Sequence, residues 1–177
     1  MAGLIGWWFV PSATAAADPN AYRWSETYIA SSDGVRLHTV IFRPASAAPK
    51  TKTPVILTVS PYATSGATPL GAKDPNRDPT PVPDGFPIEA QVFAHGYSVV
   101  VVALRGFGAS TGCYDEGGPG EQQDVKHAVE WAATQPWSTD QVGMVGHSCD
   151  AETQWMALAA RPEGAAAGGA GAAPGGP

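Results

Sequence analysis

The sequence predicts an α/β fold with a mostly parallel sheet, and three observations carry that prediction. Arg23–Ala30 and Val35–Arg43 are short strand-like segments on either side of Ser31-Ser32-Asp33-Gly34, which is turn chemistry for an antiparallel hairpin. Three later segments are continuous apolar runs of strand length, the pattern of strands buried on both faces. Helical segments alternate with those runs, as strand–helix–strand connections in a parallel sheet require.

In chain order, Pro44 to Thr53 is an Ala/Pro/Lys/Thr connection, and Val55-Ile56-Leu57-Thr58-Val59 is the first buried strand. Residues 63–85 hold five prolines and read as a long loop, longer than compact connections usually are. Ile88–Ala94 reads as a short helix closed by Gly96, which can take the left-handed cap conformation. Tyr97–Leu104, with four consecutive valines, is the second buried strand. Glu121–Gln135 is an amphipathic helix: Val125, Ala128, Val129 and Ala132 share a face, and Pro136 ends it. Gln141–His147 is the third buried strand, and Ala151–Arg161 the helix after it.

Composition narrows the function classes. The 177 residues carry 10 Lys+Arg against 16 Asp+Glu, a net charge of −6 with no basic run, which argues against a nucleic-acid binder. The longest apolar stretches fall short of the ~20 residues a membrane span needs. Two cysteines form one bridge at most, so a disulfide scaffold is excluded. Neither a metal-ligand cluster nor a phosphate-cradling glycine loop is present, so no cofactor is expected.

Three segments are expected. Residues 1–17 hold a short apolar run, Leu4–Val10, then small residues at A-x-A spacing, the shape of a secretory signal cleaved after Ala15 or Ala17. Its charged leader is missing, which under this reading places the start codon upstream of Met1, and the protein would be exported. Residues 18–163 form one α/β domain. Residues 164–177, only Gly, Ala and Pro, offer almost no side-chain area to bury and are expected to be a disordered tail. A natural flexible tail and a truncated or frame-shifted gene are both open readings, and the abrupt change of composition favours the second.

The chemistry lies where the third buried strand meets its helix. Gly146-His147-Ser148-Cys149-Asp150-Ala151 places a serine on a sharp strand-to-helix turn, two residues after a glycine. A nucleophile elbow needs this arrangement, because it lifts the hydroxyl above the sheet edge and aims the next backbone N–H and the helix N-terminus at a developing oxyanion. The competing reading is an ordinary helix-capping serine.

These residues resemble a known group. Asp33-Gly34-Val35-Arg36-Leu37, Ser60-Pro61-Tyr62, Leu104-Arg105-Gly106-Phe107-Gly108-Ala109-Ser110-Thr111-Gly112, Gly117–Glu121, Trp137-Ser138 and Val142–Ser148 are similar to the Xaa-Pro dipeptidyl-peptidase and cocaine-esterase group of α/β-hydrolases, from about Trp24 to Gly164. That group carries Gly-x-Ser-Tyr-x-Gly at the elbow; this chain has Cys149 for the tyrosine and Ala151 for the last glycine. The resemblance implies Ser148 as nucleophile, with the Tyr62 phenol and the Cys149 backbone N–H as oxyanion donors. It also implies acyl-enzyme hydrolysis of Xaa-Pro peptide bonds, with an esterase or acylase of the same group as the alternative. A small peptide or ester is the partner expected. Arg105 reads as a structural anchor of its own glycine-rich loop.

A serine nucleophile of this architecture needs an acid and then a histidine later in the chain. His38, His95, His127 and His147 all precede Ser148, and the later acids are Asp150, Glu152 and Glu163. His147 is expected to point away from the serine hydroxyl. The fold is therefore expected to be an incomplete α/β-hydrolase, with the C-terminal half of the sheet and the triad acid and base absent. A catalytically incompetent fragment, with a free sheet edge and an uncovered apolar face, is the second functional reading. If exported, Cys113 and Cys149 could pair.

Overall fold

The computed structural model describes residues 18–63, 91–162 and the backbone of 166–167. Six strands form one sheet in the order β1-β2-β4-β3-β5-β6. They are β1 (Tyr22–Ala30), β2 (Arg36–Pro44), β3 (Thr53–Ser60), β4 (Ser98–Ala103), β5 (Ser138–Met144) and β6 (Ala166–Ala167). Two helices lie between and after the later strands: α1 (Pro119–Thr134) and α2 (Cys149–Ala160). β1 and β2 form the expected hairpin, and β2 pairs antiparallel with β4. From β4 onward every pairing is parallel, so the sheet is mixed, as predicted.

Period-two alternation divides the core between the two faces of the sheet. Val55, Leu57 and Val59 of β3 with Val100 and Val102 of β4 face one way and meet Val125, Ala128, Val129 and Ala132 of α1. Ile56, Val99 and Val101 face the other way, with Val40, Phe42, Val92 and Phe93. The four valines of β4 thus feed both layers. The expected uncovered sheet face does not occur among the described residues, because these side chains are almost wholly buried on both sides. Among the large apolar groups left in solvent, the two most exposed aliphatic or indole side chains sit on α2, where Trp155 is 64% and Leu158 50% exposed; Trp24 on β1 is 43% exposed.

α1 begins at Pro119, where a missing N–H costs nothing. Its first turn is capped reciprocally. The Asp115 carboxylate accepts from the Gly120 and Glu121 amides, and the buried Glu121 carboxylate accepts from the Asp115 and Gly117 amides. Arg105, just past β4, donates through Nε and Nη2 to both oxygens of Asp124 on α1, at 2.7 and 2.8 Å. Its Nη1 reaches Asp33 Oδ2 in the hairpin turn at 2.9 Å. The arginine therefore ties the loop after β4 to α1 and to the hairpin, a wider structural role than anchoring its own loop.

Most element ends shift by one or two residues from the sequence reading, and three differences are larger. β5 runs Ser138–Met144 rather than 141–147, because Val145 to His147 are needed to turn into α2. Of the segment read as a helix at 88–94, only Gln91 onward is described; there the chain makes successive turns closed by Gly96 at φ +81°. Within the segment expected to be a disordered tail, Ala166 and Ala167 pair with Gln141 and Val142. Pairing uses only backbone groups, which alanine supplies as well as any residue, and β5 presents a free edge there. The signal-like residues 1–17 and the proline-rich loop from 64 onward lie outside the described residues.

Candidate active site

The last bonds of the β5 end hold the turn in place. Val145 donates its amide to Leu57 O at 3.2 Å and accepts from Thr58 Oγ1 at 3.1 Å. Gly146 then permits a close approach: a Cβ there would collide with the Asp150 Cβ and stand 3.1 Å from the Asp150 carbonyl carbon. Ser148 follows at φ 54°, ψ −129°, a conformation that costs a non-glycine residue of order 1–3 kcal/mol and persists only where its surroundings over-determine it. α2 starts at the next residue. The Ser148 carbonyl accepts the Ala151 and Glu152 amides, while its hydroxyl makes no capping bond and lies exposed. That rules out the helix-capping reading, since the side chain takes no part in starting the helix.

α2 is pinned to the sheet beneath it. Thr153 Oγ1 donates to Val59 O at 3.0 Å and to Asp150 O at 2.9 Å, and Gln154 Nε2 donates to Gly146 O at 3.2 Å. The first helical amide, Cys149 N–H, has no carbonyl one turn back to bond, as for every helix start. It points out of the helix N-terminus, where partial positive charge accumulates.

Tyr62 comes to the same place from the end of β3. Its amide donates to Ser60 Oγ at 3.0 Å, which fixes the two-residue turn beyond the strand. The ring is 53% exposed, and its phenol O–H donates to Cys149 Sγ at 3.2 Å. Hydrogen bonding to Cys149 is the largest influence on the phenol and holds its pKa above the usual tyrosine value; the Ser148 hydroxyl pulls in the opposite direction. The structure thus brings Tyr62, 87 positions before Cys149 in the sequence, to Ser148 and Cys149.

Two further residues, which the sequence did not single out as site residues, border this cluster. Asp150 is 5% exposed and its Oδ1 has no hydrogen-bond partner. Burial raises its carboxyl pKa, partly offset by the Ser60 hydroxyl and by His147. Tyr114 packs edge-on against Phe107 with centroids 5.2 Å apart. Its phenol pKa is raised by desolvation first, then by Glu121 and Cys149. No sequence signal marked Tyr114. A buried acid directly after the elbow was visible in Asp150, but its burial was not.

The histidines do not converge on Ser148. His38 is buried and 3.3 Å from Glu26 Oε2, His127 lies 3.4 Å from Ser31 Oγ, and His95 and His147 are exposed. Cys113 and Cys149 are both free thiols. Among the described residues no group of three or more His, Cys, Asp or Glu could hold a metal ion.

Comparison with known proteins gives this geometry a context. Residues 33–173 match the X-Pro dipeptidyl-peptidase (S15) family. A Mycobacterium bovis protein named as a serine esterase is 28% identical over 167 residues, covering 86% of this chain and 25% of that protein. A CocE/NonD family hydrolase from Staphylococcus aureus superposes with a TM-score of 0.61 at 30% identity, over 80% of this chain and 26% of that one. An α-amino acid ester hydrolase superposes at 0.58 and 30% identity, over 82% of this chain and 24% of that one. The sheet and helices are accordingly part of an α/β-hydrolase fold. The chain spans about a quarter of the length of the curated relatives it matches.

Proposed function

This chain belongs to the X-Pro dipeptidyl-peptidase (S15) family, and from that premise we propose that it carries the nucleophile and oxyanion half of a secreted serine hydrolase. The single observation that carries the reading is the backbone of Ser148. A strained positive φ at a serine between a parallel strand and a helix, with the hydroxyl unused in capping, is the geometry of a nucleophile elbow. Ser148 attacks the substrate carbonyl, the ester C–O or amide C–N bond breaks to release the alcohol or amine and leave an acyl-enzyme, and water then releases the acid. The Tyr62 phenol and the Cys149 N–H donate to the oxygen as it gains charge. The general base and its orienting acid come from the remainder of the hydrolase, of which this chain corresponds to a quarter in its relatives. Export rests on the apolar Leu4–Val10 run and the small residues after it.

The substrate is an ester or amide of a small acyl group. The names of the relatives favour an ester, whereas the family description favours a peptide with proline at the second position. The complete hydrolase, assayed on a nitrophenyl ester and on a Gly-Pro anilide beside its Ser148→Ala variant, decides both points. Loss of turnover by about 10⁴-fold or more in the variant is expected. Turnover that survives the substitution would sink the assignment of Ser148, and the preferred substrate separates esterase from peptidase.

A further inference from the structure

Cys149 stands where the family that this sequence resembles carries a tyrosine, and its side chain has a partner that the elbow itself does not require. We infer that the Cys149 thiol is a positioning group for Tyr62: its sulfur is the acceptor on which the phenol O–H rests until a substrate oxygen takes it. The inference rests on the assignment of Tyr62 as an oxyanion donor and names what holds that donor in place.

The geometry supports it. Tyr62 is fixed at its backbone by Ser60 Oγ, but its ring is more than half exposed and little packing defines where the hydroxyl points. The bond to Cys149 Sγ at 3.2 Å gives the phenol proton an acceptor on the elbow. Sulfur is a weak acceptor, and weakness suits the task. A carboxylate or carbonyl in the same place would compete with the developing oxyanion, whereas a thiol gives up the O–H at small cost. The hydrogen bond to a forming negative charge is much the stronger of the two, so the exchange favours the transition state over the resting arrangement. The Ser148 hydroxyl also hydrogen-bonds the phenol, in the sense that lowers its pKa, so it donates to the phenol oxygen and leaves Cys149 Sγ as the acceptor of the O–H; the Asp150 carboxyl acts by charge.

The test reads Tyr62 and Cys149 in the 177-residue chain, without substrate, so its outcome is separable from that of the Ser148→Ala assay. Tyrosinate absorbance is titrated in the parent and in Tyr62→Phe; the difference isolates Tyr62. In Cys149→Ala its midpoint should move down, and in Cys149→Ser, which keeps an acceptor but not the ionisable sulfur, it should move down less. Second, in a Cys113→Ser background and at a pH alkaline enough to ionise the thiol fully, iodoacetamide should alkylate Cys149 about three- to tenfold faster once Tyr62→Phe has removed the donor. Tyr62 is a surface side chain, so this arm leaves the elbow intact and does not depend on the folding of Cys149→Ala. An unmoved Tyr62 midpoint in folded Cys149→Ala, or an unchanged alkylation rate in Tyr62→Phe, overturns the inference.

Discussion

Replacing Arg105 by alanine should cost this fold more than any surface change. The guanidinium grips Asp124 in a two-pronged ion pair, with the arginine side chain 8% exposed and the aspartate side chain 0%. Its third bond goes to Asp33, whose side chain is 47% exposed. The two links are worth different amounts. Without Arg105, Asp33 simply returns to water, and an ion pair this exposed contributes little. Asp124 cannot do so, and an unpaired buried carboxylate costs about 3–5 kcal/mol. A domain of ordinary stability has only about 5–15 kcal/mol in total. At this length each kcal/mol moves Tm by roughly 2–4 °C, so a fall of about 6–20 °C is expected. Thermal melts followed by circular dichroism measure the shift, and urea unfolding the free energy. The double variant Arg105→Met, Asp124→Leu removes both charges and should recover most of the loss, because the penalty lies in the unpaired charge. If Arg105→Ala costs less than about 1 kcal/mol, or the double variant is no better than the single one, the reasoning fails.

Three other predictions concern the elbow. Ser148→Gly removes the Cβ that makes φ 54° unfavourable and should raise stability by about 0.5–2 kcal/mol in thermal melts, despite the freer unfolded chain; a lower Tm contradicts the strain argument. Gly146→Ala drives a methyl into Asp150 and should destabilise by about 2–4 kcal/mol, which urea midpoints will show, and a neutral result would mean that the turn relaxes freely. Asp150 has a carboxyl pKa raised by burial, so protonation favours the folded state. Its destabilising effect is present at neutral pH and is lost as pH falls through the folded pKa toward the unfolded value of about 3.9. Asp150→Asn should therefore be as stable as the parent or more so at neutral pH, with that advantage shrinking on acidification; an advantage that grows as pH falls would contradict the burial argument.

What the sequence disclosed was mostly local. The Ser31–Gly34 turn announced the β1–β2 hairpin, and the Val55–Val59 and Val99–Val102 runs announced strands with both faces covered. The α1 face was legible from its spacing alone. The exchanged positions of β3 and β4 were not, since strand order in a parallel sheet follows from connections rather than from the strands themselves. Apolar periodicity carried β5 three residues too far, because Val145 continues the pattern while the backbone has already begun to turn. Ser148 was found by its flanking glycine and the helix after it. The thiol of Cys149 as a partner of Tyr62 was hidden, as were both aspartates on Arg105, because contacts between residues tens of positions apart leave no local pattern.

The order of the strands also sets an order of assembly. The β1–β2 hairpin pairs residues close in sequence and can close as soon as Pro44 is available. β3 has no such neighbour: Val55 pairs with Ser98 on one side and with Val142 on the other. During synthesis its eight residues, apolar in the middle, wait as an unpaired strand until most of the domain has been made, the interval in which such segments associate wrongly. The residues just before and at its start read as protection for that interval. Lys50, Lys52 and Pro54 add charge and remove an amide donor where a stray strand would begin to pair, and Arg43 holds the approach through the Pro49 and Thr51 carbonyls.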